Sequence, residues 1–421
     1  MRNNTSWLQH IPKHWEVKRL KDLGFFYGGL SGKSGDDFQC EDENIIKPFI
    51  PYTNILNNFY VNSQVVKFVL INDNEEQNKV QKGDLLFLMS SEDYESIAKA
   101  SVFCEDVDVM YLNSFCKGLR ITNKKVYSPF LCYVLSNDEC RDAIRLEAQG
   151  FTRINIKTGK VASASIPLPP LSEQEKIARY LDTKVEEIDQ KVSLIEKKIE
   201  RYQLLKKSII NKVVTTGLHP EAPRKDSQIS WLKQIPAHWE VKRLKDLHSG
   251  ANVGESIDKE YWSSNSFDKI FYTAGETFIY STYEKFPKYK LVGKDDLLLS
   301  RNGTPYVYLP KLNALYTDHI IRIRLKTELC DKRYVRYCLQ RSIEFEKVDV
   351  VMLATWSMSI WNEQKISLPP LSEQQEIASY LDQKCADIDA IIANCTAQIE
   401  KYKTLKRALI NEVVTGQRTI E

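Results

Sequence analysis

The chain has 421 residues, with 59 lysines and arginines against 56 aspartates and glutamates and a net charge of +3. That near balance excludes a protein that coats a polyanion through its global field, so any nucleic-acid contact has to come from local patches. The length allows two domains of roughly 150 residues plus something extended, and no apolar run approaches the roughly 20 residues that span a bilayer.

The start, MRNNTSWLQH, lacks the apolar stretch of a secretory signal, so a cytoplasmic location with no membrane partner is expected. The entry segment SWLQHIPKHWEVKRLKDL at 6–23 returns as SWLKQIPAHWEVKRLKDL at 230–247, with 15 of 18 positions identical. His14 and Trp15, repeated as His238 and Trp239, stand beside Ile11-Pro12 and Ile235-Pro236 without an accompanying nucleophile or metal-ligand set. A packed entry to each domain is therefore predicted there. The loop Gly28-Gly29-Leu30-Ser31-Gly32-Lys33-Ser34 falls one residue short of G-x-x-x-x-G-K-S, which needs glycine at Tyr27. It reads as a flexible loop that can meet phosphate through free N–H groups and Lys33.

The middles of the two halves diverge. Residues 25–166 carry 15 basic and 19 acidic side chains, and 249–366 carry 17 and 15. A common plan survives in Ile50-Pro51-Tyr52-Thr53 against Ile270-Phe271-Tyr272-Thr273, and in Gly83 to Phe87 against Asp295 to Leu299. It continues in Phe115 to Ile121 against His319 to Leu325, and in Phe130, Tyr133 and Leu135 against Tyr334, Tyr337 and Leu339. Short alternating runs between polar loops predict two α+β domains of one fold. None of the nine cysteines falls in a C-x-x-C pair, which argues for buried thiols and against zinc fingers or a disulfide framework.

LPPLSEQEKIARYLDTKVEEID, starting at Leu168, returns as LPPLSEQQEIASYLDQKCADID, starting at Leu368. Ile177, Leu181, Val185, Ile188, Val192, Ile195, Ile199, Tyr202, Leu205, Ile209 and Val213 are spaced by threes and fours, the interval that lines one helix face. Ile377, Leu381, Cys385, Ile388, Ile392, Cys395, Ile399, Tyr402, Leu405, Leu409 and Val413 repeat that stripe. From Val185 to Tyr202 the spacing is 4-3, a coiled-coil period. Pro169-Pro170 and Pro369-Pro370 block backward extension. Ser172 with Glu175, and Ser372 with Gln375, match the capping box, and Gly217 and Gly416 stand where a left-handed terminator belongs. Each helix should run about 45 residues, roughly 65 Å. Two such stripes in one chain are expected to pair as an antiparallel coiled coil. The predicted layout is a domain at 1–166, a helix at 167–217, a linker and second domain at 218–366, and a helix and tail at 367–421.

The W-L-x-x-I-P-x-H-W-E-V-K-R-L-K-D-L head and the P-P-L-S-E-Q-x-x-I-A-x-Y-L-D helix, each present twice and in order, resemble the DNA-specificity subunit of type I restriction-modification enzymes over the whole chain. The resemblance implies a non-catalytic subunit with two target-recognition domains. Each reads one half of a bipartite, asymmetric site on double-stranded DNA, and the helices set the unspecified gap. It implies docking of two modification (methyltransferase) subunits, and two restriction subunits can join. S-adenosylmethionine, ATP and magnesium are then expected on the partners, with no cofactor or metal on this chain. The residues agree, because both Pro-Pro pairs are followed by leucine where an amino-methyltransferase needs an aromatic, and neither G-x-G-x-x-G nor H-E-x-x-H occurs.

Reading bases calls for side chains that reach base edges, with Lys and Arg on phosphates. In the first domain the candidates are Ser31, Lys33, Ser34, Tyr52, Asn54, Ser90, Ser91 and Tyr94, and Thr152 and Arg153 in the Gly150–Arg153 loop. In the second they are Tyr272, Arg301, Asn302, Thr304, Tyr306, Thr355, Trp356 and Ser357. Two other classes stay open: an adaptor that grips protein partners, and an enzyme whose constellation is not apparent. The target bases, the gap length and the presence of a restriction subunit are not legible in the sequence.

Overall fold

The computed structural model describes residues 6–9, 11–39, 46–72, 74–229, 231–273, 275, 277–302, 305–345 and 355–420. Packing divides the chain into two units, Met1–Ile195 with Ala397–Glu421, and Glu196–Thr396.

In the first unit an antiparallel four-stranded sheet runs in the order Gly24–Gly28, Cys116–Ile121, Leu85–Leu88, Ala100–Val102. In the second unit the order is His248–Val253, Ile320–Leu325, Asp296–Ser300, Val307–Tyr308. Successive side chains of a strand face opposite ways, and the apolar run Leu85–Leu88 uses both faces. Leu85 and Phe87 enter one core, and Leu86 and Leu88 enter another. Leu297 and Leu299 separate from Leu298 in the same manner. At about 1.5–3 kcal/mol per buried large side chain, these strands anchor both cores of their units. A second sheet covers the outer core, with Lys67–Leu70, Ile46–Ile50 and Tyr111–Leu112 in the first unit and Trp262–Ser263, Phe278–Ser281, Lys269–Tyr272 and Leu315–Tyr316 in the second. The two domains thus share one α+β plan.

The duplicated heads close each domain. Glu16–Arg19 pairs antiparallel with Ser165–Leu168, and Glu240–Arg243 with Lys365–Leu368. The Trp15 Nε1 donates to Glu173 Oε1 at 3.1 Å, and Trp239 Nε1 to Glu373 Oε1 at 3.0 Å. His14 and His238 meet the second oxygens of the same carboxylates at 3.0 and 2.8 Å. The repeated histidines and tryptophans therefore pin each domain entry to the start of a long helix.

The long helices are Leu171–Thr216 and Leu371–Val414. Each ends on a glycine with φ +70, Gly217 or Gly416. They are antiparallel. In the first unit a β-carbon on Gly416, past the end of the second helix, would meet Pro12 at 2.4 Å and Trp15 at 3.3 Å, and Trp15 holds the start of the first helix. In the second unit a β-carbon on Gly217, past the end of the first helix, would lie 3.0 Å from Trp239 and 3.3 Å from Glu373. Ile177, Leu181 and Ile188 share a core with Leu409, Ile410, Val413 and Val414. Val213 and Val214 share one with Ile377, Leu381 and Cys385. Ile388 and Ile399 are also buried, and Val185, Val192, Ile195, Ile199 and Ile392 are half-buried. Lys406 binds Asp189 at 2.7 Å in one unit, and Lys206 binds Asp389 at 2.7 Å in the other.

Three expectations are corrected. The helices start at Leu171 and Leu371, one residue before the predicted capping serines, so Ser172 and Ser372 lie inside the first turn. Glu175 reaches forward to Arg179 at 3.6 Å instead of back to the start. The buried Gln174 and Gln374 fasten that turn, donating to the carbonyls of Pro169 at 2.8 Å and Pro369 at 2.9 Å. Leu205 and Leu405, placed on the stripe, are 46% and 52% exposed, because the next residues, Lys206 and Lys406, turn toward the aspartates. Finally, Ile50 lies opposite Leu112 and Tyr272 opposite Tyr316. Ile50 thus corresponds to Tyr272 and not to Ile270, a slip of two that preserves strand alternation and so escapes a pattern-based alignment.

Among the described cysteines all are free thiols, buried except for the half-buried Cys104. Burial pushes the Cys140 and Cys338 thiols up to about 12. No helix among the described residues is long and apolar enough to cross a membrane.

Candidate nucleic-acid interface

Each central strand begins at a buried, paired aspartate and ends at a polar edge. At the beginning, Asp84 accepts from Tyr27 at 2.6 Å and Arg120 at 2.8 Å, while Asp296 faces Arg322 and Arg324 at 3.5 and 3.3 Å. At the far end of the first, Ser90–Ser91 pairs with Ile154–Asn155, the Met89 N–H donates to the Phe115 carbonyl at 3.2 Å, and the Ile156 N–H donates to the Met89 carbonyl at 3.1 Å. At the far end of the second, Asn302 bridges to Thr355. There the Arg301 N–H donates to the His319 carbonyl at 2.8 Å, and the Trp356 N–H to the Arg301 carbonyl at 2.7 Å. Ser90, Phe115 and Asn155 thus correspond to Asn302, His319 and Thr355. Unlike side chains stand at the same place on the same scaffold.

In the first domain the structure brings Tyr52, Ser90, Ser91 and Arg153 together. The Tyr52 hydroxyl donates to Ser91 Oγ at 3.2 Å, and Arg153 Nε donates to Ser90 Oγ at 3.0 Å. The Arg153 guanidinium lies over the Phe115 ring, 4.5 Å from its centre. Thr152 is exposed beside it, Phe151 is 101% exposed, and Tyr94 is 44% exposed with Arg145 over its ring. Burial works against the charge on the nearby Asp93, yet hydrogen bonds from Ser96 and Ser91 outweigh it and hold the carboxyl below its ordinary range.

Other candidates are committed elsewhere. The Lys33 side chain is 5% exposed and its ammonium is bound to Glu75 at 2.5 Å, so meeting a phosphate requires that pair to open. The Ser31 N–H donates to Gln77 Oε1 at 3.0 Å, and the Ser34 N–H to Asp37 Oδ2 at 2.7 Å, within a loop that holds itself. Asn54 is buried. Its Nδ2 donates to the carbonyls of Asn62 and Val65, and its Oδ1 accepts from the Asn62 N–H. That amide serves a turn, with no free edge for a base.

In the second domain Arg301 is exposed, and Asn302 Nδ2 lies 2.7 Å from His319 Nδ1, with Thr355 exposed alongside. Tyr272 is buried, its hydroxyl accepting from the Lys311 N–H at 3.2 Å. Trp356 is 4% exposed and packs on Trp361 with ring centres 5.1 Å apart. Ser357 caps the helix Met358–Glu363 by accepting from the Ile360 N–H. Tyr306 is half-buried against Tyr308, 4.8 Å between ring centres. Thr304 lies outside the described residues. Phe115 and His319 were not among the candidates. The available signal was that each heads an alternating run shared by both halves yet differs in chemistry. Among the described residues no group of three or more His, Cys, Asp or Glu is placed to hold a metal ion.

The family profile described as the type I restriction modification DNA specificity domain matches residues 12–201 and 236–401. The chain belongs to that family and is a DNA-specificity subunit. It is 26% identical over 429 residues to the type I restriction enzyme MjaVIII specificity subunit of Methanocaldococcus jannaschii, covering 97% of this chain and 93% of that one. It is 22% identical over 424 residues to the type I restriction enzyme EcoKI specificity subunit of Escherichia coli strain K12, covering 98% and 90%. The fold matches a chain from a solved structure of a type I R-M system, with a TM-score of 0.71 at 17% identity over 96% of this chain and 98% of that one.

Proposed function

We propose that each globular domain reads one block of a split, asymmetric DNA site, and that the paired helices set the unspecified gap between the blocks. One observation carries this reading: a duplicated scaffold presents Ser90, Phe115 and Arg153 at one strand end and Asn302, His319 and Thr355 at the equivalent end of the other. Two modification subunits dock on the helices and adjoining domain faces and methylate adenine with S-adenosylmethionine. Two restriction subunits using ATP and magnesium can join that core. The chain supplies recognition and leaves catalysis to these partners, in the cytoplasm.

The complex with the modification subunits should bind site-bearing DNA with a steep salt dependence. Six to ten phosphate contacts give a loss of about 10³–10⁵ in affinity between 50 and 200 mM salt. Fluorescence anisotropy across that range measures it. A nearly flat dependence would favour an adaptor that grips proteins.

A further inference from the structure

Equivalent places that carry unlike, pre-positioned side chains also say which base each can read. We infer that Arg153 reads guanine in one block and that Asn302, oriented by His319, reads adenine in the other. This inference rests on the DNA-recognition reading above and assigns chemistry within it.

Arg153 is presented by a loop with little freedom. Gln149 and Asn155 close its base with reciprocal backbone hydrogen bonds of 2.9 and 2.8 Å, and the Asn155 amide donates to the Arg153 carbonyl at 3.1 Å. Gly150 sits at φ +135, where a β-carbon would stand 2.1 Å from the Arg153 carbonyl oxygen, so the turn requires glycine. Ser90 takes the Nε–H and Phe115 covers one face of the guanidinium. Among the described residues no carboxylate pairs with Arg153. Its two terminal nitrogens, Nη1 and Nη2, are left as a parallel pair of donors, and guanine presents two acceptors, O6 and N7, at that spacing in the major groove. Holding the side chain in place beforehand lowers the ordering cost of the contact.

Asn302 meets a different partner in the corresponding position. Its Nδ2 faces His319 Nδ1, which accepts from it in the tautomer that keeps the imidazole proton on Nε2. That bond fixes which way the amide faces. One N–H and Oδ1 remain, a donor beside an acceptor, and adenine offers the complementary N7 and N6–H₂. His319 acts here as a positioning residue. Ser90, the counterpart of Asn302, is too short to make such a contact and serves Arg153 instead.

The test is selection from randomised DNA by the complex of the full chain with its modification subunits, followed by sequencing of the bound pool. Wild type should yield two blocks. Arg153→Ala should lose about tenfold or more of the preference for one guanine in a single block, and Arg153→Lys should keep part of it. Asn302→Asp should exchange one adenine of the other block for cytosine, because a carboxylate only accepts and cytosine N4 donates. His319→Ala should weaken that same adenine and no other position. Unchanged preferences in Arg153→Ala and Asn302→Asp would overturn the inference. So would a uniform loss of affinity with every preference retained, which marks a phosphate contact. A wild-type complex that selects no sequence at all would instead overturn the DNA-recognition reading.

Discussion

Replacing Trp239 with alanine should unfold the second unit at a markedly lower temperature and leave the first unit's transition in place. Trp239 is 0% exposed in the second unit's core, donates to Glu373 at 3.0 Å, and lies where a β-carbon on Gly217 would be only 3.0 Å from its ring. One side chain thereby joins the domain entry, the start of one long helix and the end of the other. Truncating a buried tryptophan costs about 3–5 kcal/mol. For a unit of this size about 2–4 °C is lost per kcal/mol, so a drop on the order of 10 °C is expected in differential scanning calorimetry. Trp15→Ala should act on the first unit alone, since Trp15 makes the same contact with Glu173. A shift of under about 2 °C in either variant would contradict the assigned role of these junctions.

Lengthening both long helices by four residues at equivalent positions, after Glu196 and after Thr396, should change the gap in the recognised site and nothing else. Four residues add about 6 Å and rotate the helix by about 40° beyond a full turn, whereas a base-pair step of B-DNA rises about 3.4 Å and turns by about 34–36°. The gap should therefore grow by about one or two base pairs while both blocks keep their bases. Restoring the original gap through a compensating deletion of four residues from both helices would complete the argument. A lengthened chain that still directs methylation to the original gap would remove the helices from the spacing function.

The frame was legible in the sequence because the duplication kept both members of each contact. Trp15 and Glu173 recur as Trp239 and Glu373, Tyr133 and Asp182 as Tyr337 and Asp382, and Asp189 and Lys406 as Asp389 and Lys206. The helix stripe was legible for a simpler reason, since a period between 3.5 and 3.6 leaves its mark on local spacing. The serine-to-glutamate spacing imitates a cap and puts the first helical residue two positions late, at 173 and 373, while the turn is fastened by Gln174 through the carbonyls of Pro169 and Lys125.

The candidate site was legible only in part. Arg153 meets Ser90 across 63 positions of sequence, and Asn302 meets His319 across 17, so no local pattern marks them as partners. Residue type was misleading at Asn54 and Lys33, which have the chemistry of readers but spend it on the carbonyls of Asn62 and Val65 and on Glu75. Only the folded chain separates a polar side chain that is occupied from one that is presented.

The most direct measurement is base-resolved mapping of N6-methyladenine in cells that express this chain with its modification subunit, beside cells that express the modification subunit alone. The account predicts a new split motif of two unlike blocks separated by a constant unspecified gap, present only when this chain is expressed. Identical methylation in both cultures, with the complex shown to assemble, would contradict the claim that this chain supplies the sequence specificity.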